Sequence, residues 1–149
     1  MKVVDTYEYV SVLKELVEEG KEVSMLIAGS SMSPFLCHQR DSIFFKKPDR
    51  ELKRGDMVFY QRNSGQYVMH RIYKVKSEGY YMVGDAQTEI EGPLERNQIF
   101  AIITKVKRKG KWIESGDFWW EFFAKVWIQI VPVRKVTIRL YGLLKGFLR

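Results

Sequence analysis

Three serines lie within five residues in the stretch Gly29-Ser30-Ser31-Met32-Ser33-Pro34, directly after the apolar run Met25-Leu26-Ile27-Ala28. A serine hydroxyl is a weak nucleophile until a base removes its proton. It also needs an accessible chain reversal, where backbone N–H groups can face a developing oxyanion. A strand that ends in Gly-Ser-Ser and turns at Pro34 meets those requirements, although a polar turn after a strand has the same composition. A base is present in Tyr67-Val68-Met69-His70-Arg71-Ile72. An imidazole with a pKa near 6.5 is the natural general base at neutral pH, and a histidine inside an apolar strand is also compatible with a core residue satisfied by hydrogen bonding. The third group is Asp85 in Val83-Gly84-Asp85-Ala86. A carboxylate just after a strand can accept from the far imidazole nitrogen and fix its tautomer. The same dipeptide can simply mark a turn.

The order of these pieces is more informative than any one of them. Ser31-Met32-Ser33-Pro34 comes first, then Arg54-Gly55-Asp56-Met57-Val58-Phe59, then His70-Arg71-Ile72, then Gly84-Asp85-Ala86. In this order the chain resembles the signal peptidase and LexA-like serine peptidase superfamily. The four stretches match its S-M-x-P box, its R-G-D box leading into an apolar strand, the H-R-[VI] box of the eukaryotic, archaeal and sporulation-type signal peptidases, and their G-D-[NA] box. The resemblance spans about residues 23–107. It implies a mainly β fold, a coiled antiparallel sheet forming a partly open barrel. It further implies Ser31 as nucleophile, His70 as general base and Asp85 as the group that orients His70. The Ser31 backbone N–H would contribute to the oxyanion hole, and Met32 would line the wall near the substrate's P1 residue. Arg54 and Asp56 would be structural. Signal peptidases usually carry a serine where this chain has Gly29, so that helping hydroxyl is missing unless Ser30 or a backbone group replaces it as donor. Lys74 follows His70 on the same strand face but about 13 Å along it, too far to replace it.

These residues need elements to hold them. Asp5 or Thr6 can cap a helix that runs to about Glu19 and stops at Gly20, with Val10, Leu13 and Val17 on one face. Strands are predicted over residues 22–28, 42–46, 56–62, 66–76, 80–83, 99–107 and 111–114, with turns at Asn63-Ser64-Gly65, Ser77-Glu78-Gly79 and Lys109-Gly110. The organisation expected is a helical lead-in over 1–21, a β-rich catalytic domain over 22–116 and a basic amphipathic helical tail over 117–149. In that tail Val133, Val136, Leu140, Leu143, Leu144 and Phe147 follow helical spacing, with Arg134, Lys135, Arg139, Lys145 and Arg149 between them.

Composition narrows the function. From Lys105 onward there are eleven Lys and Arg against three Asp and Glu, while residues 1–104 hold fourteen against fifteen. The near-neutral body argues against a nucleic-acid grip, and Trp119, Trp120 and Trp127 recur at helical rather than strand spacing, so stacking on bases is disfavoured. A basic amphipathic helix beside a Trp/Phe cluster suits an anionic membrane surface through residues 118–149, or docking on the body or another subunit. The single Cys37 permits no intrachain disulfide, and with His38 and His70 it offers no zinc spacing, so no cofactor or metal is expected. The acidic N-terminus does not read as a signal peptide, and no run is long and apolar enough to cross a bilayer. The expectation is a cytoplasmic serine endopeptidase, peripheral at the inner membrane face, that cuts a peptide or precursor protein with small residues near the bond. The alternative is a non-catalytic peptide-binding module on the same fold, tethered by its tail.

Overall fold

The computed structural model describes residues 6–134, 139, 140, 143 and 144. Helix α1 (Thr6–Glu18) is followed by strands β1 (Val23–Leu26), β2 (Ser42–Lys46), β3 (Met57–Gln61), β4 (Tyr67–Lys76), β5 (Gly79–Val83), β6 (Glu91–Leu94), β7 (Ile99–Arg108) and β8 (Lys111–Glu114). The strands form one antiparallel sheet in the order β1-β2-β7-β3-β4-β5-β6, with β8 added to β7. The sheet is mainly β, antiparallel and not closed. Strand β7 is its central rib, pairing β3 through its first half, β8 through its last residues and β2 along the opposite edge.

Local chemistry accounts for most boundaries. Helix α1 ends where Gly20, at φ +91°, turns its N–H back to the Val17 carbonyl and Lys21 N–H reaches Leu16. This glycine stop seals the last carbonyls of the helix. Val10, Leu13 and Val17 are buried together with Phe35, Phe45, Met57, Phe59 and Phe100, so the helix covers one face of the sheet. Val58, Tyr60, Ile72, Met82 and Ile102 fill a second cluster. Strand β3 is buried on both faces as a result, which is why Met57-Val58-Phe59-Tyr60 shows no alternation.

Seven strands lie within a residue or two of their predicted bounds. Strand β6 was not expected, because its sequence Glu91-Gly92-Pro93-Leu94 contains a glycine and a proline. It lies at the sheet edge, where a residue without an N–H is tolerated.

The C-terminal segment, expected as amphipathic helices that suit a membrane surface or dock on the body, is helical and changes its winding along the chain. Helix α2 (Phe118–Glu121) passes into a wider π-type turn, Phe122–Val126, and then into tighter 3-10 turns, Trp127–Val133. Phe123 and Trp127 belong to the main core, and Ile128, Val131 and Arg134 are buried. The first half of the tail is thus docked on the body, and Arg134 is not a membrane-facing cation. Leu140, Leu143 and Leu144 are exposed, as are Phe118, Trp119 and Val126. Val136, Phe147, Lys135, Lys145 and Arg149 lie outside the described residues, as does the cap candidate Asp5. Among the described residues, no helix is long and apolar enough to cross a membrane.

Candidate active site

The serine loop is organised by a buried carboxylate. Asp41, fully buried, accepts from Cys37 N–H (2.8 Å), Lys109 N–H (3.0 Å) and the Arg40 guanidinium (2.8 Å). Burial opposes its charge, but these donors prevail and hold its pKa below the usual aspartate value. The loop is tied to the end of β1 by Ile27 N–H to Asp41 O (2.8 Å) and Gln39 N–H to Ile27 O (2.9 Å). Gly29 sits at φ +90°, and its N–H donates to His38 Nδ1 at 2.7 Å. A residue with a Cβ adopts that conformation only at a cost, which accounts for glycine at this reversal.

The reversal presents Ser31. Its side chain is half-buried, while Met32, Phe35 and Leu36 behind it are buried. Among the described residues, neither the Ser31 hydroxyl nor the Ser31 and Met32 N–H groups make a hydrogen bond. The Gly29 N–H is taken by His38 and is no oxyanion donor. Ser30 is exposed, and its carbonyl receives Ser33 N–H.

His70 lies on β4 opposite Val58 of β3 and is buried. Its Nδ1 is 3.2 Å from the Tyr60 hydroxyl, which in turn donates to Glu91 Oε1 at 2.7 Å. Arg62 grips the same carboxylate with Nε on Oε2 (2.8 Å) and Nη2 on Oε1 (2.9 Å). Burial pushes the His70 pKa down to about 4, against a weaker upward pull from Glu91, so the imidazole is neutral at physiological pH. Burial also works against the Glu91 charge, but the Arg62 and Tyr60 hydrogen bonds hold its carboxyl below the ordinary value. Burial and the Glu91 carboxylate raise the Tyr60 phenol.

Asp85 is not the partner of His70. Both of its oxygens are engaged by Arg71, Nε on Oδ1 and Nη2 on Oδ2 at 2.9 Å each, in a pair almost wholly removed from solvent. The reason lies in the strand. His70 and Arg71 are consecutive on β4 and project from opposite faces, and the carboxylate lies on the arginine side. The third donor of Arg71 reaches the Gly55 carbonyl at 2.9 Å. Asp56 receives Arg50 through both oxygens and Lys53 N–H, a structural role. Arg54 stacks on Tyr73.

The Gly84-Asp85-Ala86 turn instead fixes the serine. Ala86 N–H donates to the Ser31 carbonyl at 2.9 Å. A Cβ on Gly84 would lie 2.6 Å from that same oxygen, so only glycine permits this approach. The docked C-terminal segment closes over the turn from behind. Trp127 Nε1 donates to Asp85 O (2.7 Å), and Arg134 donates to Gly84 O (2.8 Å) and Gln87 O (3.0 Å). Arg134 also stacks on Trp127.

Ser31 and His70 line the same cleft of about 310 Å³, with Gly29, Met32, Met25, Ile27 and Phe59 among its walls. A second cleft of about 540 Å³ adjoins it, lined by His70, Arg62, Ala86, Gln87 and Glu91. No hydrogen bond links Ser31 to His70. Among the described residues there is no cluster of three or more His, Cys, Asp or Glu able to hold a metal.

Tyr60, Arg62 and Glu91 were missed from sequence. Tyr60 reads as one more apolar strand residue, and Glu91 stands before Gly-Pro, which reads as a turn. Only the fold brings them to His70. Comparison with protein-family models, curated proteins and solved structures finds no match to this chain.

Proposed function

We propose that this protein is a serine endopeptidase of the signal-peptidase and LexA-like kind, with Ser31 as nucleophile and His70 as general base. The observation that carries the reading is the shared cleft: Ser31, with an uncommitted hydroxyl, and His70, held neutral by burial, line one pocket. The four motif stretches support it by joining one another in space: Arg71 of the third binds Gly55 of the second and Asp85 of the fourth, and Ala86 of the fourth meets Ser31 of the first.

In this mechanism the hydroxyl and imidazole draw into hydrogen-bond range when substrate fills the cleft, as catalytic contacts that are open in a free enzyme often do. His70 Nε2 takes the Ser31 proton as Oγ attacks the scissile carbonyl. The Ser31 and Met32 N–H groups receive the oxyanion, which assigns the oxyanion role to backbone donors rather than to Gly29. The C–N bond then breaks, and His70 returns the proton to the leaving amine. Water, deprotonated by the same imidazole, hydrolyses the Ser31 ester. Asp85 serves through Arg71 and the turn, not through the base. Among the described residues strand β1 pairs only with β2 and runs into the serine loop, so its outer edge is one on which an extended peptide can pair.

The test is digestion of a peptide library by the full chain, read by mass spectrometry, alongside Ser31→Ala and His70→Ala. Cleavage by wild type alone supports the assignment. Peptide binding without turnover in all three would favour the non-catalytic module instead.

The exposed Phe118, Trp119, Val126, Leu140, Leu143 and Leu144 further support attachment to an anionic bilayer. Co-sedimentation with anionic but not neutral vesicles is expected. Its persistence after Trp119→Ser and Leu143→Ser together would contradict that attachment.

A further inference from the structure

The base of a serine hydrolase needs a fixed tautomer, with the proton on the nitrogen away from the nucleophile. Asp85 is consumed by Arg71, so another group must meet this need. The hydrogen-bond inventory around His70 determines which. A phenol has one proton. The Tyr60 hydroxyl gives it to Glu91 Oε1 at 2.7 Å, and Glu91 is an acceptor only, being gripped by two nitrogens of Arg62. The remaining contact of the phenol oxygen, 3.2 Å from His70 Nδ1, must then be accepting. Nδ1 therefore carries the imidazole proton, and Nε2 keeps its lone pair.

We propose that Tyr60 and Glu91 are the positioning residues of the base. Tyr60 holds His70 in its Nδ1–H form, and the Glu91 carboxylate, relayed through the phenol, stabilises the imidazolium that forms when Nε2 takes a proton. The arm spans three strands and their neighbours: Tyr60 on β3, His70 on β4, Glu91 on β6, with Arg62 just beyond β3 as the only cation on the carboxylate among the described residues. It does the work that a directly bonded carboxylate does in a serine–histidine–aspartate arrangement, with one hydroxyl interposed. Strand β6, which carries Glu91, pairs with β5 through Met82↔Glu91, so the edge strand also serves to deliver the carboxylate.

The proposal rests on the peptidase reading for its purpose, but its geometry is testable without turnover. The chain has two histidines, His38 and His70. Long-range 1H–15N spectra of the labelled full chain near neutral pH distinguish the tautomers, with a His38→Gln sample for assignment. The expected result is a neutral His70 protonated at Nδ1, with that preference lost in Tyr60→Phe. A wild-type His70 protonated at Nε2 overturns the proposal. In peptide cleavage, Tyr60→Phe is expected to lower kcat about 100-fold and Glu91→Gln about 10-fold, with KM little changed. Glu91→Gln should also move the acid limb of kcat/KM to lower pH, because the carboxylate that favours the imidazolium is gone. A residue that only packed would change the melting temperature without that displacement. Wild-type kcat and tautomer in both variants would overturn the arm. An Nδ1–H signal that depends on Tyr60, in a protein that cleaves no peptide, would uphold the arm and sink the peptidase reading.

Discussion

His70 and Arg71 are neighbours on one strand, both are buried, and the molecule treats them in opposite ways. Arg71 is held in an ion pair. It is matched by both oxygens of Asp85 and by the Gly55 carbonyl, and no buried side-chain donor or acceptor among the described residues lacks a partner. His70 is kept neutral, with its one visible partner a phenol. Burial costs the charged form of either group several kcal/mol unless paired. On the Arg71 face that cost is met by pairing, and the result is a rigid node joining β4, the Gly55 turn and the Gly84-Asp85-Ala86 turn. On the His70 face the cost is avoided by shedding the proton, and the result is an imidazole free to take one. Consecutive residues thus divide into an ion-paired arginine and a neutral imidazole because a strand sends them to opposite sides.

This contrast is most severely tested on the scaffold side. Asp85→Ala leaves Arg71 buried and unpaired, and is expected to cost about 3–5 kcal/mol of stability, measured by denaturant unfolding. Arg71→Met with Asp85→Leu removes both charges and should recover much of that loss. A single substitution costing under ~1 kcal/mol would show that the node is not a keystone.

The His70 side should show itself through pH. Its folded pKa of about 4 lies below its unfolded value of 6.5, so the unfolded chain binds the proton first as pH falls. Stability linked to this group is complete above pH 6.5 and drains away between there and pH 4. The loss amounts to about 3 kcal/mol. His70→Gln should lack that component, and an unchanged pH slope in the variant would contradict the burial account. For the same reason, the acid limb of kcat/KM is expected near pH 4 rather than near 6.5.

Smaller effects should come from the turn that joins the two. Gly84→Ala places a Cβ against the Ser31 carbonyl and is expected to cost about 1–3 kcal/mol and to lower turnover by displacing the serine. Trp127→Phe removes the donor to the Asp85 carbonyl, at a cost of about 1 kcal/mol. Thermal unfolding and activity of each variant check both.

Much of this was readable in the chain. Strand-forming runs and turn residues located seven strands, and Gly20 marked the end of α1. The motif order brought Ser31 and His70 forward as a pair, and the fold gives them one cleft. The role of Asp85 was misread because sequence shows that a carboxylate follows a strand but not which face of the neighbouring strand it meets. Arg71, one residue from the histidine, competes for it with a permanent charge. Tyr60 and Glu91 were hidden for a different reason. They are 31 residues apart, and nothing local marks either one; a phenol in an apolar strand reads as core, and Glu-Gly-Pro reads as a turn. The docking of Trp127 and Arg134 was obscured because aromatic and basic residues at helical spacing suit a bilayer surface as well as a protein one.

The central claim is that Ser31 and His70 act as a unit, and a double-mutant cycle on peptide cleavage tests it most directly. Ser31→Ala and His70→Ala are each expected to lower kcat about 10⁴-fold, and the double variant no further, because a base without its nucleophile has nothing left to activate. Losses that multiply in the double variant, or a Ser31→Ala protein that cleaves like wild type, would contradict the account.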